Sequence, residues 1–170
     1  MHKSTTTDSE ARDALYRVKR GLCGYISYLA ACEMNKAFSE YVLYEPILRI
    51  LTARGYTVEC EYECPGIEQP AQGDKKRLDF YAIGKTTQFA LEVKWAKSNH
   101  PDVTRDTEKL KAFLGATPNS FALLCVFGTK SRLENLYLDP DNFKEWGKAV
   151  YADLRKTKYA CRIYRFVDTQ

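Results

Sequence analysis

Two carboxylates and a lysine, Asp79, Glu92 and Lys94, stand inside the stretch Lys75 to Lys97, KKRLDFYAIGKTTQFALEVKWAK. The runs 78–83 and 88–96 are β-type in composition, and Gly84-Lys85-Thr86-Thr87 between them is a turn signal. A hairpin that turns symmetrically between Lys85 and Thr86 sets Asp79 opposite Glu92. Opposed residues of an antiparallel pair have Cβ atoms about 4.5–5.5 Å apart, and side chains alternate faces. Lys94 therefore joins the two acids, while Leu91, Val93 and Trp95 point the other way. Charge is costly inside a sheet, and two adjacent carboxylates without a counter-ion push one pKa upward. A divalent cation relieves that conflict.

The flanking segments must position this hairpin. Residues 1–7 are predicted to form a disordered leader, and 8–170 a single domain. Thr7-x-x-Glu10 has the form of a capping box, followed by Leu15, Val18, Leu22, Ile26 and Leu29 at helical spacing. A second helix is expected over about 36–54, kinked or restarted at Pro46 and stopped by Gly55. Tyr56 to Cys64 alternates as a half-exposed strand, and Pro65 to Gly73 is a loop. A helix is expected over 103–114. Phe121 to Phe127, FALLCVF, reads as a strand covered on both faces. Asp139-Pro140 looks like a helix start, with Phe143, Trp146, Val150 and Leu154 as its buried stripe, and Tyr159 to Val167 closes the chain as a strand. The order α-α-β-β-β-α-β-α-β predicts an α/β fold with one mixed sheet flanked by helices.

Composition narrows the classes. A chain of 170 residues that is 45% hydrophobic and 28% charged fits one globular domain. No run approaches about 18 consecutive apolar residues and the first residues are polar, which predicts a cytoplasmic protein that does not enter a membrane. The net charge of +4 is compatible with a polyanionic partner. The six cysteines are scattered, and Cys60-x-x-x-Cys64 lacks a second pair at zinc-site spacing, so reduced structural thiols are expected. There is no Gly-x-Ser-x-Gly elbow, P-loop or Gly-x-Gly-x-x-Gly motif.

A helix carrying an acid, then three strands with Asp79 on the second and Glu92-Val93-Lys94 on the third, then α-β, resembles the PD-(D/E)xK nuclease superfamily with its restriction-endonuclease-like core. The resemblance spans Ser39 to Phe127, a core of about residues 36–128, with the first helix and the C-terminal unit as elaborations. Leu78 stands where the motif's name has proline. The resemblance implies hydrolysis of DNA phosphodiester bonds through a metal-activated water. Asp79, Glu92 and the Val93 backbone carbonyl would bind Mg2+ or Mn2+, as hard cations take oxygen ligands. Lys94 would orient or deprotonate the attacking water, the orienting role being favoured because adjacent carboxylates hold its proton. Ser39-Glu40-x-x-Leu43-Tyr44-x-Pro46-Ile47 is similar to first-helix signatures of such nucleases, with the acid at Glu40. Glu45 is the alternative helix acid; Glu40 shares a helix side with Ile47 and Leu51, and Glu45 is turned by roughly 140° from it.

Lys75, Lys76, Arg77, Arg105 and Lys109 are the candidate contacts to a nucleic-acid backbone, which position the polymer without reading it. Arg77 would face Lys94 in the assumed register, and Asp106-x-x-Lys109-Leu110 resembles a helix that packs beside the site in related nucleases. Alternatives are a catalytically silent module that binds nucleic acid or protein on the same fold, and a nuclease that cuts RNA. A homodimer is a further expectation, with the Leu15 to Leu29 helix as its interface.

Overall fold

The alternating run in the middle of the chain forms the strand around which the sheet is assembled. The computed structural model describes residues 4–154 and 156–168. Strands β1 (Thr57–Glu63), β2 (Arg77–Ile83) and β3 (Gln88–Trp95) form an antiparallel meander, and helix α3 (Thr104–Ala116) carries the chain to β4 (Ser120–Thr129), which lies parallel to β3. A parallel neighbour needs such a crossover. Strand β7 (Thr157–Phe166) lies antiparallel to β4, and the short strands β5 (Phe143–Glu145) and β6 (Val150–Leu154) share its far edge end to end. The result is a seven-stranded mixed sheet in the order β1-β2-β3-β4-β7-β5, with β6 also on β7.

Two hydrophobic cores lie on opposite faces. Leu123, Cys125 and Phe127 of β4 face helices α1 (Ser4–Ala31) and α2 (Tyr44–Ala53), whereas Leu124 and Val126 face α3 and the short helix α4 (Lys130–Glu134). The apolar run at 121–127 is thus covered on both sides, as expected for a central strand. In β3, Phe89, Leu91 and Val93 enter the α1/α2 core, which leaves Glu92 and Lys94 to the α3 side. Trp95 packs on that first core with Phe38, Phe127 and Tyr159 around it, a packing role.

Several expectations need correction. The first helix already begins at Ser4, within the segment expected to be disordered, and residues 1–3 lie outside the described residues. Thr7 lies within the helix. Glu10 serves elsewhere: its carboxylate accepts from the Thr86 amide (3.1 Å) and hydroxyl, fastening α1 to the β2–β3 turn. The Leu15 to Leu29 stripe packs into the chain's own core. Helix α1 covers one face of the sheet, and strand β7 lies within it beside β4.

Of the segment expected as helical over 36–54, the first part is two 3₁₀ turns, Asn35–Ala37 and Tyr41–Leu43, and the helix begins afresh near Pro46 as α2. Pro46 sits in the first turn of α2, where its missing N–H costs nothing, and Gly55 ends the helix at φ +86°. The helix expected after Asp139-Pro140 is β5 and β6. The Asp139 carboxylate accepts from the Asp141 amide at 3.0 Å, closing a turn in place of capping a helix. Gly147 at φ +74° then separates the two strands. Buried Lys19 of α1 donates to the carbonyls of Lys148 (2.6 Å) and Trp146 (3.3 Å), tying that turn to the first core.

Candidate functional site

The hairpin register is the predicted one, from Phe80 opposite Leu91 to Ile83 opposite Gln88. The ladder ends there, one pair short of Asp79 and Glu92. Asp79 enters the resulting gap between β2 and β3, where its Oδ2 accepts the Val93 N–H at 2.6 Å. The N–H and C=O of one residue in an extended strand point to the same edge, so the Val93 carbonyl opens into the same gap. On the other side, Tyr44 of α2 donates its hydroxyl to Asp79 Oδ1 at 2.5 Å. The ladder's early end also keeps Arg77 from pairing opposite Lys94, so the expected repulsive contact is not made.

Glu92 is 1% exposed and lies under α3, where Lys109 Nζ donates to its Oε2 at 2.5 Å and to the Arg77 carbonyl at 2.9 Å. Its other oxygen, Oε1, is buried with no hydrogen-bond partner. Lys94 reaches toward the same helix, 2.9 Å from Asp106 Oδ2 and 3.9 Å from Glu40 Oε1. That Glu40 oxygen accepts the Trp95 N–H at 2.9 Å. Glu45, the competing acid, points to solvent and accepts from Arg49 at 2.7 Å. Of the two, Glu40 is the one at the cluster, though it precedes the 3₁₀ turn and is not part of α2.

Asp79 and Lys94 open into a cavity of about 940 Å³ lined also by Glu61, Lys75, Lys76, Arg77, Arg105, Asp106 and Lys109. All five basic residues singled out from the sequence therefore border one space. Their surroundings differ. Lys109 is the counter-charge of Glu92, and Lys75 and Lys76 pair at the surface with Glu63 and Glu108. Three participants escaped the sequence reading of the site: Tyr44, Asp106 as the partner of Lys94, and Glu61. Glu61 holds φ +53° opposite Asp79, at the point where the β1–β2 ladder skips a pair. His100 packs against the Tyr137 ring, 5.6 Å between centroids, and does not border this cavity.

Burial dominates the electrostatics. It pushes the Glu92 carboxyl up to about 9, and the nearby Asp79 charge adds to the rise while Lys109 opposes it. Asp79 is raised by burial too, with the Tyr44 and Val93 donors holding part of it back. Burial alone would lower the Lys94 ammonium, but the Asp106 hydrogen bond and charge outweigh it, and its pKa ends above the ordinary lysine value. Lys94 is thus a fixed cation at neutral pH.

The Glu92 shift has a consequence for folding. Unfolded, this group titrates near 4.5, so between pH about 5 and 9 the unfolded chain has released a proton that the folded chain retains. Stability contributed by Glu92 therefore falls with rising pH, by up to about 1.4 kcal/mol per unit. In chelator, urea midpoints of the wild type should drop between about pH 5.5 and 8. Glu92→Gln should flatten that dependence, and an unchanged slope would contradict the assignment.

The six cysteines form no disulfide. Among the described residues, no group of three or more His, Cys, Asp or Glu side chains is arranged to hold a metal ion, and no helix is long and apolar enough to cross a membrane. Compared with protein-family models, curated proteins and solved structures, the chain gives no match.

Proposed function

We propose that the chain is a metal-dependent phosphodiesterase that hydrolyses DNA, on a restriction-endonuclease-like core of the PD-(D/E)xK type. The observation that supports this reading most is the buried, unpartnered Glu92 Oε1, near Asp79 and behind a cavity bordered by basic and acidic side chains in equal number. A buried carboxylate oxygen without a partner is costly, and an unsatisfied group of this kind calls for an ion or a function. In the metal-free chain burial keeps the proton on Glu92 at neutral pH, and a divalent cation held between Asp79 and Glu92 would replace that proton.

Asp79, Glu92 and the Val93 carbonyl are the oxygens that would hold Mg2+ or Mn2+. Two carboxylates suffice, because Mg2+ keeps several waters and is usually bound by one or two carboxylates plus substrate phosphates. When bound, the ion supplies positive charge that acidifies a water and stabilises the phosphoryl oxygens as charge develops. The chain's own residues do the rest. Tyr44 and the Val93 N–H fix Asp79. Lys94, held protonated by Asp106, orients the water or a phosphoryl oxygen and does not accept a proton. Glu40 anchors the end of β3 and adds to the field that holds the Lys94 ammonium. Lys75, Lys76, Arg77 and Arg105 border the cavity where a DNA backbone would lie, and Lys109 stands as the resident counter-charge of Glu92.

One observation favours a second reading. Each acid already has an internal partner: the Tyr44 hydroxyl for Asp79, Lys109 for Glu92, the Lys94 ion pair for Asp106 and the Trp95 amide for Glu40. A silent module that binds nucleic acid or protein would keep such a network as structure. Incubation of the purified chain with single-stranded DNA, duplex DNA and RNA, in Mg2+, in Mn2+ and in chelator, separates these readings. The nuclease reading expects DNA cleavage that chelator abolishes. Binding without cleavage supports the module, and cleavage confined to RNA moves the substrate.

A further inference from the structure

Lys94 borders a second cavity, of about 480 Å³, on the side away from the basic rim. It is lined by Phe38, Ser39, Glu40, Tyr41, Trp95, Lys97, Ser98, Pro101 and Asp102, and it shares Lys94 and Asp102 with the larger one. Its volume lies within the roughly 300–1,000 Å³ typical of small-ligand pockets. Tyr41 sets its character. The next two residues, Val42 and Leu43, turn into the first core and hold the 3₁₀ turn in place, while the Tyr41 ring is left 79% exposed. Exposed Tyr16, Tyr28, Tyr137 and Tyr151 border neither cavity. The Tyr41 ring lies 5.9 Å from that of Tyr44, whose hydroxyl holds Asp79.

An exposed aromatic ring in a pocket that Lys94, Lys97, Ser39 and Ser98 also line suits a nucleobase. Stacking on an aromatic ring is sequence-tolerant, since every base has a π-face, but it needs a base that is not already stacked in a duplex. The two acids in the pocket do not bar it. Glu40 is engaged by the Trp95 amide, and Asp102 accepts the Thr104 amide at 3.0 Å at the start of α3.

We propose that this second cavity receives an unpaired nucleobase stacked on Tyr41, next to the phosphate at Lys94, so that the protein takes single-stranded or frayed DNA in preference to continuous duplex. The inference rests on the phosphodiesterase reading only in placing a phosphate at Lys94. A strand would then run from the basic rim, past Lys94, with the nucleotide on one side of the phosphate turned into the aromatic pocket.

The test uses cleavage-resistant phosphorothioate DNA in Mg2+, single-stranded with a 2-aminopurine reporter, against a blunt duplex of the same sequence. The wild type should bind the single strand at least about tenfold more tightly and quench the reporter. Tyr41→Ala should lower single-strand affinity by about tenfold or more, in line with the stacking contribution of one base, and leave duplex affinity unchanged. Tyr41→Phe should keep both. Equal affinity for strand and duplex, or a Tyr41→Ala effect shared by both, overturns the subsite. Tyr41-dependent strand binding by a chain that cuts no DNA keeps the subsite and removes the nuclease reading. Duplex cleavage indifferent to Tyr41→Ala does the reverse, and a chain that binds neither form removes both.

Discussion

Replacing Asp79 with asparagine is expected to lower DNA hydrolysis by at least about 10³-fold in kcat, with far less effect on folding. The loss has two origins. A carboxylate charge leaves the proposed cation site, where electrostatic stabilisation of a developing charge is commonly worth 10²–10³ for a single donor. The replacement also disturbs the gap in the hairpin. Asp79 accepts from two donors, the Tyr44 hydroxyl and the Val93 amide, and an asparagine has only one acceptor oxygen for them. One donor must turn away or face an NH2 group, at a cost of about 1–3 kcal/mol. For a domain of this size that is a fall in Tm of several degrees, readable by calorimetry alongside the assay. Tyr44→Phe in the Asp79→Asn background should recover part of the stability and none of the activity.

Lys94→Met should reduce kcat by about 10²–10³-fold with little change in DNA affinity, because the proposed role of Lys94 is a contact to the reacting group and not to the backbone at large. The side chain is 25% exposed and sits 2.9 Å from Asp106, which is 7% exposed. Removing the lysine therefore leaves a buried carboxylate with the Lys109 ammonium 3.7 Å away as its remaining ion-pair partner among the described residues. Some loss of stability follows from that alone. Lys94→Met/Asp106→Asn separates the effects: the double variant should regain stability and remain inactive. Full activity in either variant would remove Lys94 from the chemistry. The ammonium stays charged at neutral pH, so no activity limb from Lys94 should appear on the acid side of its raised pKa.

The hairpin was legible because its information is local. Strict alternation over Phe89 to Trp95 assigns faces without reference to any other element, and the turn composition sets the register that Phe80 and Leu91 show. Asp79, Glu92 and Lys94 all lie on that hairpin, so the cluster could be named from one stretch. Tyr44 and Asp106 could not. Tyr44 is 35 residues from the acid that it serves, and only the packing of α2 against the sheet brings it there. A signal was present all the same: Tyr44 follows Glu40 by four residues, and Asp106 and Lys109 are spaced to share one side of α3. Lys109 carried a charge that suggested a phosphate contact, but a buried carboxylate across the crossover was the nearer partner.

The C-terminal misreading has the same root. Phe143, Trp146, Val150 and Leu154 repeat at three and four residues, which is helical spacing, yet β5 and β6 are three and five residues long. Strands so short owe their existence to pairing along one edge of β7, a non-local contact that periodicity does not record. Asp139-Pro140 compounded the error, since a residue that caps helices also closes turns.

The central claim is that Asp79 and Glu92 together hold a divalent cation, and calorimetric titration of Mg2+ or Mn2+ into the metal-free chain tests it most directly. The account predicts one ion bound per chain by the wild type, and loss of that binding in Asp79→Asn while the variant remains folded. A wild type that binds no divalent ion, or an isotherm unchanged by Asp79→Asn, would contradict it.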